Sequence, residues 1–204
     1  NPDKVFTVYN GADAFQAPAI EHIDKPFPEK VVTFLGRITF QKGPDYFVEA
    51  AYKILQKDQN VRFVMAGSGD MLNKMIRRVA QLRISNKFHF TGFLDGENVD
   101  RMFSMSDVYV MPSVSEPFGI SPLEAMRSNV PVVISKQSGV SEVLKYALKI
   151  DFWDIDAMSD GIYGLLHYDA LSRMFIKYGK NEVDSMKWDN AAKLVKEVYT
   201  KVLN

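Results

Sequence analysis

The chain has 204 residues, with 25 acidic and 25 basic side chains and no cysteine. A net charge of zero provides no general attraction to nucleic acid or to anionic membranes, so we expect neither as a partner. Without cysteine the chain can form neither a disulfide framework nor a thiolate metal site, which is compatible with the cytoplasm. No apolar stretch approaches the roughly 20 residues that cross a bilayer, so we expect a soluble protein without an integral membrane segment.

The first 29 residues have the pattern of a linker. A short apolar alternation over residues 5–9 ends at Asn10-Gly11, which is a turn signal. Residues 12–29 then contain three prolines, at positions 18, 26 and 28. The remaining residues are enough for one domain with a substantial core. We therefore expect a linker or hinge segment over residues 1–29 and a single domain over residues 30–204.

From residue 30 onward, short apolar runs alternate with amphipathic segments. The runs are typical of buried parallel strands, and the segments have the 3.6-residue period of helices. The predicted strands are 31–35, 61–66, 88–91, 108–111, 130–134 and an edge strand within 150–156. The predicted helices are 44–57, 71–82, 98–105, one starting at Ser121, 140–148 and a helical remainder up to Leu203. This alternation predicts an α/β fold, a Rossmann-like doubly wound parallel sheet.

Six strands of such a sheet most often take the order 3-2-1-4-5-6. Strands one and four are then neighbours, and the loops that follow them meet at the carboxyl edge, where such sheets bind ligands. The first of these loops, residues 36–43, carries Arg37 and Lys42. The second, residues 113–121, carries Glu116. The topology thus predicts that two cations and a carboxylate lie close together.

The second loop leads into a helix start. Ser121, followed by a proline, opens the helix, so Phe118, Gly119 and Ile120 lie at or just before its N-terminus. Unpaired backbone N–H groups and the helix dipole attract an anion there, and Gly119 allows a ligand to approach the main chain closely. We expect a phosphate group at this position.

Two carboxylates flank this helix start. Glu116 lies in the loop, and Glu124 lies about one turn into the helix, from which it can accept hydrogen bonds from sugar hydroxyls. On the neighbouring loop, Arg37 can grip a diphosphate with two N–H groups, and Lys42 supplies a movable point charge. The ordinary alternative is that Glu116, Arg37 and Lys42 are solvated loop charges and that Glu124 only complements the positive end of the helix dipole.

Several segments of the chain, taken in order, resemble one family. They are N-G-A-D at 10–13 with Phe15, G-R-I-T-F-Q-K-G at 36–43, A-G-S-G-D at 66–70, T-G-F at 91–93, S-E-P-F-G-I-S-P-L-E-A-M at 115–126, P-V-V-I-S at 131–135, S-G-V-S-E-V at 138–143 and the late Trp188. In these motifs the chain resembles the retaining glycosyltransferases of family 4, which include bacterial and archaeal glycogen synthases and sucrose-phosphate synthases. The resemblance implies the C-terminal, donor-binding half of a GT-B glycosyltransferase, whose missing partner is a Rossmann-like N-terminal domain.

The resemblance also implies roles for the two loops. Arg37 and Lys42 would bind the donor diphosphate and stabilise it as the leaving group. Glu116 would position sugar hydroxyls and stabilise positive character at the anomeric carbon, so these three are the expected catalytic residues. The backbone of residues 118–121 would hold the diphosphate, and Glu124 would hold the nucleotide ribose.

At the other end of the donor, the resemblance implies that Gly67, Gly92 and Phe93 line the nucleotide pocket. Taken from the residues alone, segment 67–70 lacks the third glycine of a dinucleotide-binding loop and favours a tight turn with Asp70 as the helix N-cap. No metal site is expected, because the three histidines have no partner at metal-binding spacing. No cofactor is implied, since the nucleotide sugar is a substrate.

Two further expectations concern the backbone and the C-terminus. Ser138 stands where the family usually has glycine, so the local backbone is expected to be strained if this position needs a positive φ. The last helix begins at Trp188, and its apolar residues are expected to pack mainly into the core. In complete family enzymes this segment often crosses back to the first domain, so its final turns are expected to be displaced or frayed without that domain.

We therefore expect the donor-binding domain of a retaining, metal-independent glycosyltransferase that moves a hexose, here glucose, to an acceptor glycan. The E-P-F-G and R-I-T-F-Q-K-G segments favour a glycogen or starch synthase-like enzyme. Alternatives are a transferase for surface polysaccharide or glycolipid and a non-catalytic nucleotide-sugar binding module. Two-carboxylate hydrolysis fits less well, since one carboxylate lies in a helix and the other beside a phosphate site. We expect the chain alone to be inactive.

Overall fold

A computed structural model describes residues 5–11 and 25–203. Its strands are β1 (Lys30–Leu35), β2 (Val61–Ala66), β3 (Phe88–Gly92), β4 (Val108–Met111), β5 (Val132–Ser135) and β6 (Leu148–Ile150). Its helices are α1 (Pro44–Lys57), α2 (Leu72–Gln81), α3 (Gly96–Ser104), α4 (Ser121–Arg127), α5 (Val140–Val143), α6 (Ile155–His167), α7 (Asp169–Ser185) and α8 (Trp188–Leu203). Short 3-10 turns at Phe40–Lys42 and Ser85–Lys87 precede α1 and β3. Most of the expected linker, residues 1–4 and 12–24, lies outside the described residues.

The six strands form one parallel sheet in the order β3-β2-β1-β4-β5-β6, which confirms the predicted topology. Between β1 and β4, Val32 pairs with Val108 and Thr33 pairs with Tyr109. The sheet grows from β1 first in one direction and then in the other, so the loops after β1 and β4 lie next to each other at its carboxyl edge. All four residues of β4 are buried, as expected for an apolar run in a parallel sheet.

Apolar layers cover both faces of the sheet. On one face, Phe47 of α1 is fully buried, and its ring centroid lies 5.7 Å from that of Phe34 and 5.9 Å from that of Phe63. On the other face, the ring centroids of Phe103 on α3 and Tyr109 on β4 are 5.6 Å apart. Full burial of one such phenylalanine stabilises the fold by about 1.5–3 kcal/mol. These layers hold the strand ends from which the loops of the carboxyl edge project.

The edge strand begins earlier than predicted. α5 ends after four residues, whereas the sequence predicted a helix to residue 148, and β6 begins at Leu148 rather than at residue 150. Leu144 is extended, and the carboxylate of Glu182 on α7 accepts a hydrogen bond of 2.9 Å from the backbone N–H of Lys145. The helical prediction is wrong here because a contact from a distant helix replaces the helical hydrogen bonds, which local periodicity does not reveal.

The last helix starts where predicted but is not part of the core. Among its described residues only Ala191 is buried, while Leu194 and Val195 are 47% and 40% exposed. The helix continues without a break to Leu203, contrary to the expected fraying. The prediction of core packing was wrong because an amphipathic period indicates an apolar stripe without determining what covers it.

Gly43 holds the loops after β1 and β4 in close contact. It lies between the 3-10 turn and α1 with a left-handed φ of 64°. A Cβ atom at this position would lie 2.1 Å from the carbonyl oxygen of Pro112. Glycine is therefore needed both for the backbone conformation and for the close approach of the two chains.

Gly43→Ala should lower the free energy of unfolding by about 2–4 kcal/mol, because the methyl group adds a steric clash to the left-handed strain. Gly96 is a matched control, since its φ is 43° and no atom lies within 4 Å of a Cβ placed there. Gly96→Ala should cost about 1 kcal/mol, from backbone strain alone. Urea denaturation of both variants measures the difference, and equal losses would contradict the contact with Pro112.

Candidate functional site

Backbone hydrogen bonds join the loops after β1 and β4. The carbonyl oxygen of Gln41 accepts from the N–H of Val114 at 2.9 Å and, more weakly, from that of Ser115 at 3.4 Å. Gly43 packs against the backbone of the second loop at Pro112. The structure therefore brings the cationic loop and the acidic loop together at the carboxyl edge, as the strand order requires.

Lys42 and Glu116 form an ion pair between these loops. The Lys42 ammonium donates a hydrogen bond to Oε2 of Glu116, and the two side chains are 22% and 11% exposed. Partial burial strengthens the attraction relative to water, while desolvation of both groups opposes it. An anion that approaches Lys42 therefore competes with a carboxylate for the same ammonium group.

Arg37 lies in the same loop as Lys42 but is not drawn into this pair. Its side chain is exposed, and it makes no hydrogen bond or ion pair with any of the described residues. The structure thus brings Lys42 and Glu116 together and leaves Arg37 as an accessible cation nearby. Its contact with a diphosphate stays a prediction.

The start of α4 offers unpaired backbone donors. Ile120 is the N-cap residue, and no side chain caps the helix. Within the described ranges, the amide N–H groups of Phe118, Gly119 and Ile120 donate no hydrogen bond to the protein. Gly119 has a φ of 97°, and a Cβ there would lie 3.1 Å from Cγ of Glu116. Unpaired donors and a helix dipole thus produce a positive potential beside the ion pair.

The segment after β5 holds this loop in place. The carbonyl oxygen of Glu116 accepts from the N–H of Gly139 at 2.9 Å, and that of Phe118 accepts from the N–H of Val140 at 2.8 Å. A Cβ on Gly139 would lie 2.1 Å from the carbonyl oxygen of Pro117. Gly139 has an ordinary φ of −60°, so its backbone conformation does not require glycine. The close approach to Pro117 does, because a side chain would not fit there.

The expected strain at Ser138 is absent. Among the described residues, only Arg83 and Asn129 combine a side chain with a positive φ. Ser138 is buried, and its hydroxyl donates to the carbonyl oxygen of Ser135 at 2.7 Å. The expectation was wrong because this position does not need a positive φ, and the serine makes a hydrogen bond that glycine could not make.

Tyr109 is a residue of the site that the sequence analysis missed. It is fully buried in β4, its hydroxyl hydrogen-bonds to the Ser121 hydroxyl at 2.8 Å, and it lies 3.2 Å from the carbonyl oxygen of Leu35. Burial raises the pKa of the Tyr109 phenol well above its usual range, so the hydroxyl stays protonated. Tyr109 thus ties β1 to the start of α4. The available signal was an aromatic residue with a polar tip inside an apolar strand.

Glu124 is a partly buried carboxylate on α4. Its side chain has no hydrogen bond or ion pair with another described residue. Burial raises the pKa of Glu124, and the negative charge of Asp100 on α3 raises it further. A partly desolvated carboxylate without a partner is an available acceptor for hydroxyl groups.

The loops after β2 and β3 lie beside the loop after β1. The N–H of Gly67 donates to the carbonyl oxygen of Gly92 at 2.7 Å, and a Cβ on Gly67 would lie 1.9 Å from the carbonyl oxygen of Gly36. Gly67 therefore has a packing reason to be glycine, whatever it binds. Phe93 follows β3 and is 76% exposed. The three residues expected at the nucleotide pocket thus lie at the carboxyl edge.

Asp70 is not the N-cap of α2, as the sequence predicted. The helix begins at Leu72, with Met71 as its N-cap residue and no side-chain cap. The N–H of Met71 donates instead to the carbonyl oxygen of Ile38 in the loop after β1, at 3.0 Å. This bond holds the start of α2 against the loop after β1, and no side chain caps the helix.

Within residues 5–11 and 25–203, no three His, Cys, Asp or Glu side chains form a group that could hold a metal ion. In the same two ranges, the helices are too short or too polar to cross a membrane. Metal independence of the reaction stays a prediction, because catalytic metals in such a position can also be held by substrate phosphates.

Comparison with known sequences identifies relatives. A family model described as "Glycosyl transferases group 1" matches residues 12–182. The chain is also 34% identical over 212 residues to an uncharacterised glycosyltransferase of Methanocaldococcus jannaschii, a match that covers 97% of this chain and 54% of the relative. The chain therefore spans about half the length of that curated relative.

Solved structures share the fold. A mutant of S. aureus TarM in complex with fondaparinux, alpha-GlcNAc-glycerol and UDP superposes with a TM-score of 0.79 at 21% identity, over 95% of this chain and 39% of that chain. The C-terminal domain of a glycosyl transferase group 1 family protein from Francisella tularensis superposes with a TM-score of 0.72 at 24% identity, over 78% of this chain and 87% of that chain. The doubly wound sheet is thus the Rossmann-like fold of GT-B glycosyltransferases, as the sequence predicted.

The raised pKa of Glu124 should be visible in the pH dependence of stability. The folded state binds this proton more tightly than the unfolded state, so the contribution of Glu124 to the free energy of unfolding falls as the pH rises through its unfolded and then its folded pKa. Glu124→Gln should therefore gain stability relative to the unsubstituted chain as the pH rises above the ordinary glutamate pKa of about 4.3. Urea denaturation over this range is the measurement, and a gain that shrinks with rising pH would contradict the shift.

Proposed function

The chain belongs to the glycosyl transferases group 1 family, and we propose that it is the donor-binding domain of a retaining, metal-independent enzyme. In this proposal a hexose moves from a nucleotide diphosphate sugar to an acceptor glycan. The observation that carries the proposal is the junction of Lys42, Glu116 and the unpaired amides at the start of α4. A cation and amide donors suit the charge of a diphosphate, and a carboxylate suits the hydroxyls of the sugar attached to it.

The diphosphate would lie on the amides of residues 118–121, with Lys42 and Arg37 against its oxygens. Negative charge grows on the diphosphate as the anomeric bond breaks and the nucleotide leaves. Donors that are already in place stabilise this charge without reorganising, which is the largest single contribution in many enzymes. The hydrogen bonds from Gly139 and Val140 support this role, because they hold the loop before the reaction begins.

The ion pair between Lys42 and Glu116 couples donor binding to the freeing of a carboxylate. A diphosphate carries more negative charge than one carboxylate, so it would draw the Lys42 ammonium toward itself. Glu116 would then accept hydrogen bonds from hexose hydroxyls and stabilise the positive character that develops at the anomeric carbon. Its neighbour Gly119 leaves room for the sugar to approach the main chain.

The nucleoside end of the donor would lie across α4 and the loop after β3. Glu124, which has no partner among the described residues, would accept hydrogen bonds from the ribose hydroxyls, and these bonds would lower its pKa again. The main chain at Gly92 and Phe93 would meet the base, and the exposed ring of Phe93 offers a face for stacking.

We further propose that the sugar is glucose and that the enzyme is glycogen synthase-like. The support is the pair of segments E-P-F-G at 116–119 and R-I-T-F-Q-K-G at 37–43. The acceptor glycan would be bound by a Rossmann-like N-terminal domain of the whole protein. Coverage of only 54% of the archaeal relative is consistent with such a further part.

Lys42→Ala should weaken binding of UDP or ADP by about 10–100-fold, because a charge-assisted hydrogen bond contributes about 1.5–3 kcal/mol. Binding of uridine and adenosine should not change, since they carry no phosphate. Adding Glu116→Gln to Lys42→Ala should recover part of the lost affinity, because the substitution removes a carboxylate left unpaired beside the diphosphate. Calorimetric titration of the chain measures all of these affinities.

Lys53→Ala is the matched control for this experiment, because Lys53 is a lysine of α1 whose ion pair is with Asp156. It should leave nucleotide binding unchanged. Equal losses for nucleotides and nucleosides in Lys42→Ala would contradict the diphosphate role of Lys42. Failure of both UDP and ADP to bind the unsubstituted chain at millimolar concentration would refute the donor-binding proposal.

Glu124→Ala should weaken the binding of UDP and of uridine by the same factor, about tenfold. Both molecules carry the ribose whose hydroxyls Glu124 would hold. The unsubstituted chain should bind UDP more tightly than its 2′,3′-dideoxy analogue, and Glu124→Ala should bind the two equally. Glu97→Ala on α3 serves as the control. A ribose preference that persists in Glu124→Ala would mean that another group recognises the sugar of the nucleotide.

A further inference from the structure

A second hollow lies on the α3 side of the sheet. It has a volume of about 520 Å³ and is formed by residues of β1, β2, β3 and α3 together with Phe27. Arg62 and Val64 of β2 line it, whereas Phe63 and Met65, which alternate with them, belong to the core on the opposite face. Arg62 therefore lies on a face of the sheet where an apolar side chain would be the usual residue.

Positive charge dominates this hollow. Among the described residues, the cations Arg62, Lys87 and Arg101 line it, and no carboxylate does. Glu29 lies behind them and pairs with Arg62 at 2.9 Å and with Lys87 at 3.6 Å, so two cations share one carboxylate. Arg101 forms no ion pair with a described residue. Three cations thus line the hollow, and Glu29 is a carboxylate paired with two of them, in a chain whose net charge is zero.

The guanidinium of Arg62 is held in place but only partly satisfied. Its central carbon lies 5.0 Å from the ring centroid of Phe27, and one terminal nitrogen donates to Glu29. Its Nε is buried without an acceptor in the part of the chain that the structure describes. Buried donors normally have a partner, and a guanidinium can bind an anion with two of its N–H groups. Arg62 therefore has hydrogen-bonding capacity that the described residues do not use.

The rest of the lining is largely apolar. Val64 of β2, Leu94 after β3, and Met102 and Met105 at the end of α3 contribute side chains. Methionine is flexible and adapts to ligands of different shape. A mainly apolar lining, a few polar groups and a volume within about 300–1,000 Å³ are typical of sites for small molecules.

We propose that this hollow binds a small, soluble amphipathic anion, an apolar chain or ring that carries one carboxylate or phosphate group. The anionic group pairs with Arg62 and Arg101 and offsets the excess of positive charge. The apolar part covers Val64 and the two methionines. None of the residues that line this hollow is itself assigned to the proposed donor site, although Thr91 and Leu94 flank its residues Gly92 and Phe93.

Octyl phosphate, used below the concentration at which it forms micelles, is a suitable probe. Calorimetry of the whole chain should show saturable binding with one site, and inorganic phosphate and octyl glucoside should each bind at least about tenfold more weakly. Arg62→Gln and Arg101→Gln should each weaken the binding of octyl phosphate by about tenfold, which is the loss expected for one charge-assisted hydrogen bond. Arg77→Gln, on the exposed face of α2, should have no effect. Unchanged UDP binding in Arg101→Gln shows that this variant is folded, and circular dichroism shows the same if UDP does not bind.

Three results would overturn the proposal. The first is an absence of saturable octyl phosphate binding at millimolar concentration. The second is octyl glucoside binding as tightly as octyl phosphate, or an equal loss in Arg77→Gln, since neither agrees with recognition of the anionic group by Arg62 and Arg101. The third is flotation of the chain with phosphatidate-containing vesicles that Arg101→Gln abolishes, which would assign these cations to a membrane surface rather than to a soluble molecule.

Discussion

The pairing of β1 with β4 is the constraint on which the site depends. Lys42 and Glu116 are 74 residues apart in the chain and become neighbours only because the sheet grows from β1 in both directions. Glycines then allow backbone to meet backbone, as Gly43 meets Pro112 and Gly67 meets Gly36. The carboxyl edge is therefore assembled mainly from main-chain contacts, and these position the side chains of the candidate site.

The charged groups at this edge lie in two different electrostatic environments. Lys42 and Glu116 compensate each other, so the pair can exchange partners when a more highly charged anion arrives. Glu124 has no compensating cation among the described residues, and its pKa is raised by burial and by Asp100. A ligand that brings negative charge to Lys42 and hydroxyl groups to Glu124 would supply each group with a favourable partner. A nucleotide diphosphate sugar has these groups, which is the physical basis of the proposed function.

The second hollow shows that a net charge of zero does not describe the local distribution of charge. Arg62, Lys87 and Arg101 come from β2, from a 3-10 turn and from α3, and only the fold gathers them around one cavity. Local excess charge beside an apolar lining favours an amphipathic partner, whereas the balanced total argues only against general attraction to polyanions. The proposed donor site and this hollow therefore differ in the partners that they favour.

The sequence by itself determined the order of the elements and the loops in which the proposed binding groups lie, because hydrophobic periods, prolines and glycines influence only the structure of nearby residues. It also predicted that strands one and four are adjacent in the sheet, since right-handed crossovers leave few alternative strand orders. Only the tertiary structure decided the ion pair of Lys42 with Glu116, the role of Tyr109, the contact of Met71, the N-cap residue of α2, with Ile38, and the exposure of α8. Each of these depends on a contact between distant segments, and a local pattern shows that a face or a helix end needs a partner without showing which partner it meets.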